Sequence, residues 1–237
     1  FSPQESDEIL RKAEGRWGVA DYLPLLLRGA WVTIQIAVLS MLLAVALGLP
    51  IALMRLSGLW PLQTVATVYV EFFRGIPVLL LLFFLYYGLP ALGAQWGLES
   101  WLNLSAYLAA VLGFGLNYAA YESEIYRAGI GSIPAGQWEA AASLGMSRSL
   151  TFRRIILPQA IRVILPPMTN DFIALFKDTS LVSVIALVEL TKQYQILAKS
   201  SMRYLEIGLA TAILYLVMSV PLGHLARYLE KRWGKGL

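Results

Sequence analysis

Asp171 and Asn170 interrupt an otherwise apolar run, residues 161–175, and Lys177 and Asp178 follow directly. An ionisable side chain inside a lipid-length stretch is costly to bury and marks a functional position by default. Two readings of Asp171 stand open. It meets the ammonium or side-chain cation of a passing solute, or it packs between helices, held by an arginine such as Arg162. Glu122 and Glu124 close another apolar stretch; Glu122 is placed to face a pathway, and Glu124 to pair with Arg127 or Arg74 near a membrane surface. Asn117, Tyr118 and Tyr121 offer hydrogen bonds or a stacking face for a cation, with ordinary packing as the alternative. Glu71 and Arg74, three apart, are expected to form an ion pair that shapes a gate. Lys177 and Asp178 are expected at the opposite mouth or on a docking surface.

Other chemistries are excluded by residue supply. There is no cysteine, hence no disulfide, thiolate metal site or thiol nucleophile. A single histidine, His224, rules out a multi-histidine metal cage, so the metal expectation is none and no catalytic residue is assigned. His224 reads as an interfacial residue beside a basic tail. Neither HExxH nor a GK[ST] phosphate loop occurs, so the chain cannot bind ATP through a P-loop by itself. Gly129-Ile130-Gly131-Ser132 gives only a weak Gly-x-Ser context for an intramembrane enzyme. The net charge of +4 comes without a Lys/Arg block or aromatic–basic alternation, which argues against nucleic acid.

The elements that position these residues follow from composition. Of 237 residues, 58% are hydrophobic and 14% charged, against about 25% charged in a soluble domain. With a mean hydropathy of +0.63, most of the chain must face lipid. Charge-free stretches at 29–54, 75–98, 100–121 and 207–226 each reach the roughly 20 residues that cross a bilayer. The second is expected to begin earlier, near Thr64, with Glu71 and Arg74 in its first turns. Residues 161–175 make a fifth span, fourth in order. The run 181–190 is too short to cross and reads as a re-entrant or surface helix. Residues 17–28 read as a short amphipathic helix at the outer interface, and 1–16 lack the apolar core of a signal peptide. The run 83–87 (FFLYY) reads as a lipid-facing belt.

Orientation follows the positive-inside rule. The loop 90–103 has no Lys or Arg, whereas the segment between spans three and four carries Arg127, Arg148, Arg153 and Arg154. The tail adds Arg227, Lys231, Arg232 and Lys235. Five spans put that segment and the C-terminus in the cytoplasm and the N-terminus outside. Lys192, Lys199 and Arg203 lie on the outer side and weaken the bias. The domains expected are an extracytoplasmic segment 1–28, a transmembrane domain 29–226 and a basic tail 227–237. No internal repeat is visible, which disfavours an inverted-repeat transporter.

Residues 132–160 predict a helical hairpin. Ser132 is expected to cap its first helix, with Pro134 in the first turn. Ala135 to Leu144 is helix-forming, Gly145 suits a left-handed cap, and a second helix from Ser147 runs into Pro158. Ala140, Ala141 and Ala142 give a slim face that another protein can approach.

The spacing of Glu139-Ala140-Ala141, Gly145, Ile155 and Leu157-Pro158 reproduces the EAA pattern of ABC-importer permeases. The chain therefore resembles the membrane-spanning subunit of a type I ABC importer. Glu71 to Pro77 (EFFRGIP) is similar to the EFFRGTP segment of the polar amino acid permeases, with Ile76 in place of the usual threonine. The stretches 124–130 (EIYRAGI) and 177–185 (KDTSLVSVI) agree with that branch, and the resemblance runs from about Trp17 to the C-terminus. It implies an all-α membrane protein of five transmembrane helices, with a cytoplasmic coupling hairpin between the third and fourth. Pro134, Ala135, Trp138, Glu139, Ala140, Ala141 and Gly145 would then dock on an ATP-binding subunit. The implied partners are two such subunits holding ATP and Mg, an extracytoplasmic amino-acid-binding protein, and a second permease chain, homologous or identical. No cofactor is expected on this chain, and its place is the bacterial inner membrane. A channel or secondary transporter for small polar solutes is the alternative.

Overall fold

A computed structural model describes residues 18–98 and 102–233. Expectations for residues 1–17, for Ser100 as the start of the third span and for Lys235 lie outside the described residues. All regular structure among them is helical.

Helix α1 (Val19–Leu56) is one apolar helix of 38 residues, with Pro24 and Pro50 inside it. No break separates its first turns from the span that follows, so residues 19–28 are not a helix of their own. Ser57 stops α1 by donating its amide and hydroxyl to the Met54 carbonyl, and Gly58 turns the chain at φ +73°. Helix α2 (Trp60–Gly75) starts with proline at its first turn.

The expected second span is two helices. Ile76 precedes a proline and is driven to an extended backbone, φ −99° and ψ 133°. Pro77 then caps α3 (Val78–Trp96). Glu71 and Arg74 accordingly end α2 rather than open a span. Within α3, Phe84–Gly88 form a π turn in which the Leu89 amide donates to the Phe84 carbonyl, just before Pro90. The aromatic belt read at 83–87 is this turn.

Helix α4 (Ala106–Gly131) begins at Ser105, whose hydroxyl oxygen accepts from the Leu108 amide. It lies close against α1. A Cβ on Gly48 would stand 2.9 Å from the Glu122 Cβ, and one on Gly115 would stand 2.5 Å from Leu43. Small residues let the two backbones approach closely. The core they share holds Ile36, Leu82, Phe114, Leu175, Val182 and Ile185.

Ser132 does not cap the hairpin. It closes α4 instead, its hydroxyl donating to the Gly129 carbonyl at 2.8 Å. The cap position of α5 (Ala135–Ser143) belongs to Pro134. Gly145 sits at φ +74°. Its amide donates to Ala142 at 2.9 Å and the Met146 amide to Ala141 at 3.1 Å, a paired C-terminal closure that requires a left-handed residue.

Helix α6 opens at Arg148–Thr151, passes through a π turn at Phe152–Ile156 and continues as Leu157–Asp178. Pro158 does not end it. A proline cannot donate to the carbonyl four residues back, and the π turn, with the Leu157 amide on Phe152, absorbs the misfit.

The run 181–190 is not a helix of its own. A 3₁₀ turn at Thr179–Val184 is followed by a tight turn, in which the Leu187 amide donates to the Ile185 carbonyl at 2.7 Å, and irregular chain to Glu189. The helix lies further on, α7 (Leu190–Ser201), in a segment too polar to be read as one. Glu189 caps it and is fully buried. Its Oε1 accepts from the Lys192 amide at 2.7 Å, and its Oε2 from the Thr191 amide at 2.8 Å. Thr33 of α1 and Tyr215 of α8 (Tyr204–Trp233) donate to the same Oε2 at 3.4 and 3.3 Å. Burial pushes this carboxyl above the usual carboxylate range, and its four donors oppose the shift.

By length and composition, α1, α3 and α8 are apolar enough to cross a membrane. Helices α4 and α6 carry the polar residues.

Candidate functional site

The break between α2 and α3 opens a cavity of about 500 Å³. Its wall is shared by the α2–α3 joint, the middle of α4 and the end of α6. Arg74 closes α2 and enters the cavity because the chain turns extended immediately after it. Its guanidinium lies 5.2 Å from the centroid of the Tyr121 ring. Tyr118 and Asn117 face the same space from α4, and Asp171 and Asp178 from α6. The Tyr118 hydroxyl donates to Asp178 Oδ2 at 2.8 Å, and Asn117 Nδ2 to the Phe73 carbonyl at 2.6 Å. Asn117 thereby ties α4 to the end of α2 and keeps the joint open.

One cation and two carboxylates thus face one polar space, with the start of α3 at its edge. The first amides of a helix favour a carboxylate, and Arg74 adds a full charge on that side. Asp171 and Asp178, seven residues apart on one face of α6, favour a cation. The arrangement suits a zwitterion.

Several expected residues come together here and others do not. Asn117, Tyr118, Tyr121 and Asp171 line the cavity. Asn170 is exposed off its wall, and Glu122 is fully buried against Gly48 of α1. Arg74, rather than Arg162, shares the cavity wall with Asp171. Asp178, expected at a mouth or docking surface, is on the cavity wall, while Lys177 is exposed.

The gate pair is also arranged differently. Arg74 is engaged with Tyr121, and Glu71 is exposed. The ion cluster forms at Glu124, which pairs with Arg127 at 2.9 Å and with Arg55 of α1. Sequence reasoning missed Arg55. Its signal was a lone cation in the last turn of a span, opposite a helix with an acid near the same depth.

At the hairpin, Trp138 stacks on Phe152 with centroids 6.5 Å apart and planes at 25°. Gln159 Nε2 donates to Gln137 Oε1 at 3.4 Å, a second link between α5 and α6. Ala141 turns inward and is buried, so the free face carries Glu139, Ala140, Ala142 and Leu144, the last 81% exposed. Of the three alanines, two are on that face. Pro134, Ala135 and Gly145 are exposed along it. A cavity of about 690 Å³ lies beneath the hairpin, lined by Leu53, Leu56, Ile130, Trp138 and Phe152 among others.

Residues 29–235 match the model of a family described as binding-protein-dependent transport system inner membrane component. The chain is 40% identical over 212 residues to the L-cystine transport system permease protein TcyB of Bacillus subtilis (strain 168), covering 89% of this chain and 87% of that protein. It is 39% identical over 210 residues to the glutamine transport system permease protein GlnP of Escherichia coli (strain K12), covering 89% and 93%. A solved amino acid ABC transporter with histidines superposes with a TM-score of 0.81 at 38% identity, over 90% of this chain and 96% of that one. The inward-facing MetNI methionine ABC transporter shares the fold, with a TM-score of 0.66 at 20% identity over 86% and 96%.

Proposed function

This chain belongs to the family of binding-protein-dependent transport system inner membrane components, and we propose that it carries polar amino acids through the cavity between α2, α3, α4 and α6. It is a permease subunit of an ABC importer. Two copies, or this chain and a homologue, enclose the pathway, and an extracytoplasmic binding protein delivers the substrate. ATP and Mg are held by two separate subunits, which also perform the hydrolysis. Five crossings, made by α1, α3, α4, α6 and α8, put the hairpin and C-terminus in the cytoplasm and the N-terminus outside. The domain limits are 1–28, 29–226 and 227–237 as read from the sequence.

The observation that carries the substrate reading is the charge pattern of the cavity. Arg74 and the start of α3 take the α-carboxylate, and Asp171 and Asp178 take the α-ammonium. Tyr118 and Tyr121 border the side chain. Free energy enters at the hairpin, where Glu139, Ala140 and the neighbouring exposed residues meet an ATP-binding subunit. Closure of those subunits moves α5, and the Trp138–Phe152 stack passes the motion to α6, whose far end holds Asp171 and Asp178. The ion cluster at Glu124 holds α1 and α4 together at the inner end and acts as the gate pair.

The test is uptake by the full complex in proteoliposomes, screened over the amino acids. Asp171→Ala should alter the substrate profile, and Glu139→Arg should abolish stimulation of ATPase by the loaded binding protein. An unchanged profile removes Asp171 from the site. Uptake by the isolated chain without ATP would establish the secondary-transporter alternative instead, for which the broken α2–α3 helix is the feature in favour.

A further inference from the structure

Asp178 ends α6 at the cavity, and the next eleven residues contain no α-helix. This strap is secured at both ends. At its start the Tyr118 hydroxyl holds Asp178, and Thr179 donates its hydroxyl to the Phe176 carbonyl at 2.7 Å. In the middle, Val182 and Ile185 are buried in the core, and Gln195 of α7 reaches Ser183 at 3.5 Å. At its end stands Glu189.

The surroundings of Glu189 exceed what a helix cap requires. Two amides of α7 already satisfy that role. Thr33 adds a bond from α1 to Oε2 and also accepts the Leu190 amide at 3.2 Å. Tyr215 adds a bond from α8, and its oxygen lies 2.9 Å from the Thr191 hydroxyl. A Cβ on Gly29 would stand 2.9 Å from the Leu190 Cα, so α1 lies directly against the same point. The end of the strap cannot shift unless α1 and α8 shift with it.

We infer that Glu189 is a positioning residue for transport: it ties the strap to α1 and α8, and through the strap it fixes Asp178 on the cavity wall. The inference rests on the cavity being the amino-acid site. A carboxylate is required because it accepts four bonds and donates none. In Glu189→Gln, whichever way the amide faces, its NH₂ opposes a backbone N–H, of Lys192 or of Thr191. The volume is kept and the clamp is loosened.

The experiment uses the full complex with its ATP-binding subunits and binding protein, with L-arginine and L-glutamine as probes. KM and maximal uptake rate are measured for Glu189→Gln, Asp178→Asn, Asp171→Asn and the Glu189→Gln/Asp178→Asn double variant. Thr33→Val and Tyr215→Phe, each removing one bond, serve if Glu189→Gln fails to assemble. Glu189→Gln should raise KM about twofold to thirtyfold, the range for positions coupled through packed elements. The same change in the Asp178→Asn background should add little, because both substitutions act through one carboxylate. A normal KM in Glu189→Gln or in both single-bond variants overturns the inference. So does an effect that persists undiminished in the double variant. If Asp178→Asn and Asp171→Asn themselves leave KM unchanged, the cavity reading fails first.

Discussion

Glu189 and Glu124 both fasten a helix to α1, at positions well separated along it, and they do so by different physics. Their α1 partners, Thr33 and Arg55, are separated by about 33 Å at helical rise, roughly the thickness of the hydrocarbon layer. Glu189 is fully buried, and every bond it accepts comes from a neutral donor. Glu124 is about a fifth exposed and is held by two guanidinium groups. A buried carboxyl with its acceptor sites filled is rigid, and removing it strands every donor at once. A partly solvated ion cluster gains less, since water and salt compete for each charge, and it can change partners at small cost. The difference suits the two sites to different tasks. The buried clamp holds a fixed geometry, and the ion cluster can exchange partners.

The largest effect that sharpens this contrast is expected from Glu189→Ala. Two backbone amides, Thr33 and Tyr215 lose their acceptor, and the assembled complex should lose about 4 kcal/mol, read as a lowered midpoint of thermal unfolding. A loss no greater than that of Glu124→Ala would erase the distinction.

Glu124→Ala should cost about 1 kcal/mol at low salt while leaving Arg55 and Arg127 facing each other. The functional sign should be a higher basal ATPase relative to transport, because α1 and α4 separate more readily where Arg55 and Glu124 meet. Unchanged coupling would reduce the cluster to surface decoration.

Tyr215→Phe removes one of the four bonds to Glu189 and should cost about 1 kcal/mol. Denaturation of the complex measures it, and additivity with Thr33→Val shows whether the bonds act independently.

Salt separates the two regions most gently. Raising NaCl from about 0.1 M to about 1 M shortens the screening length from roughly 10 Å to roughly 3 Å. The cost of Glu124→Ala should shrink by about half a kcal/mol, and that of Glu189→Ala should stay the same. Equal salt dependence would mean that water reaches both carboxyls.

The readable parts of this molecule are those governed by neighbours in the chain. Gly145 at φ +74° and the α5 boundaries follow from local turn and helix chemistry, and α1 and α8 are apolar lengths. Local reading also erred where two local rules competed. Ser132 closes α4 instead of opening α5, since a hydroxyl between two helices can serve either, and Pro134 already supplied the start. At Pro158, into which the second helix runs, a π turn lets α6 continue. Pro77 was passed over in an apolar stretch, although its effect on Ile76 split the second span and made the cavity.

The sites depend on pairings too distant for spacing to reveal. Glu189 meets Thr33 across 156 positions and Tyr215 across 26. α7 lies in a polar stretch, and the carboxylate that caps it is buried by residues of α1 and α8. Arg55 and Glu124 come from different helices, and Asp178 joins the cavity through Tyr118, 60 residues earlier.

By itself, then, the sequence determined that the chain is helical and largely lipid-facing, with a helix–Gly–helix hairpin after Ser132, because turn residues and apolar length act over a few residues. Only the tertiary structure decided which acids face the cavity and which are buried against α1, and which carboxylate clamps and which forms the ion cluster. The physical reason is that the neutral and charged partners of a carboxylate are chosen by helix packing, which brings together residues whose separation in the chain carries no signal.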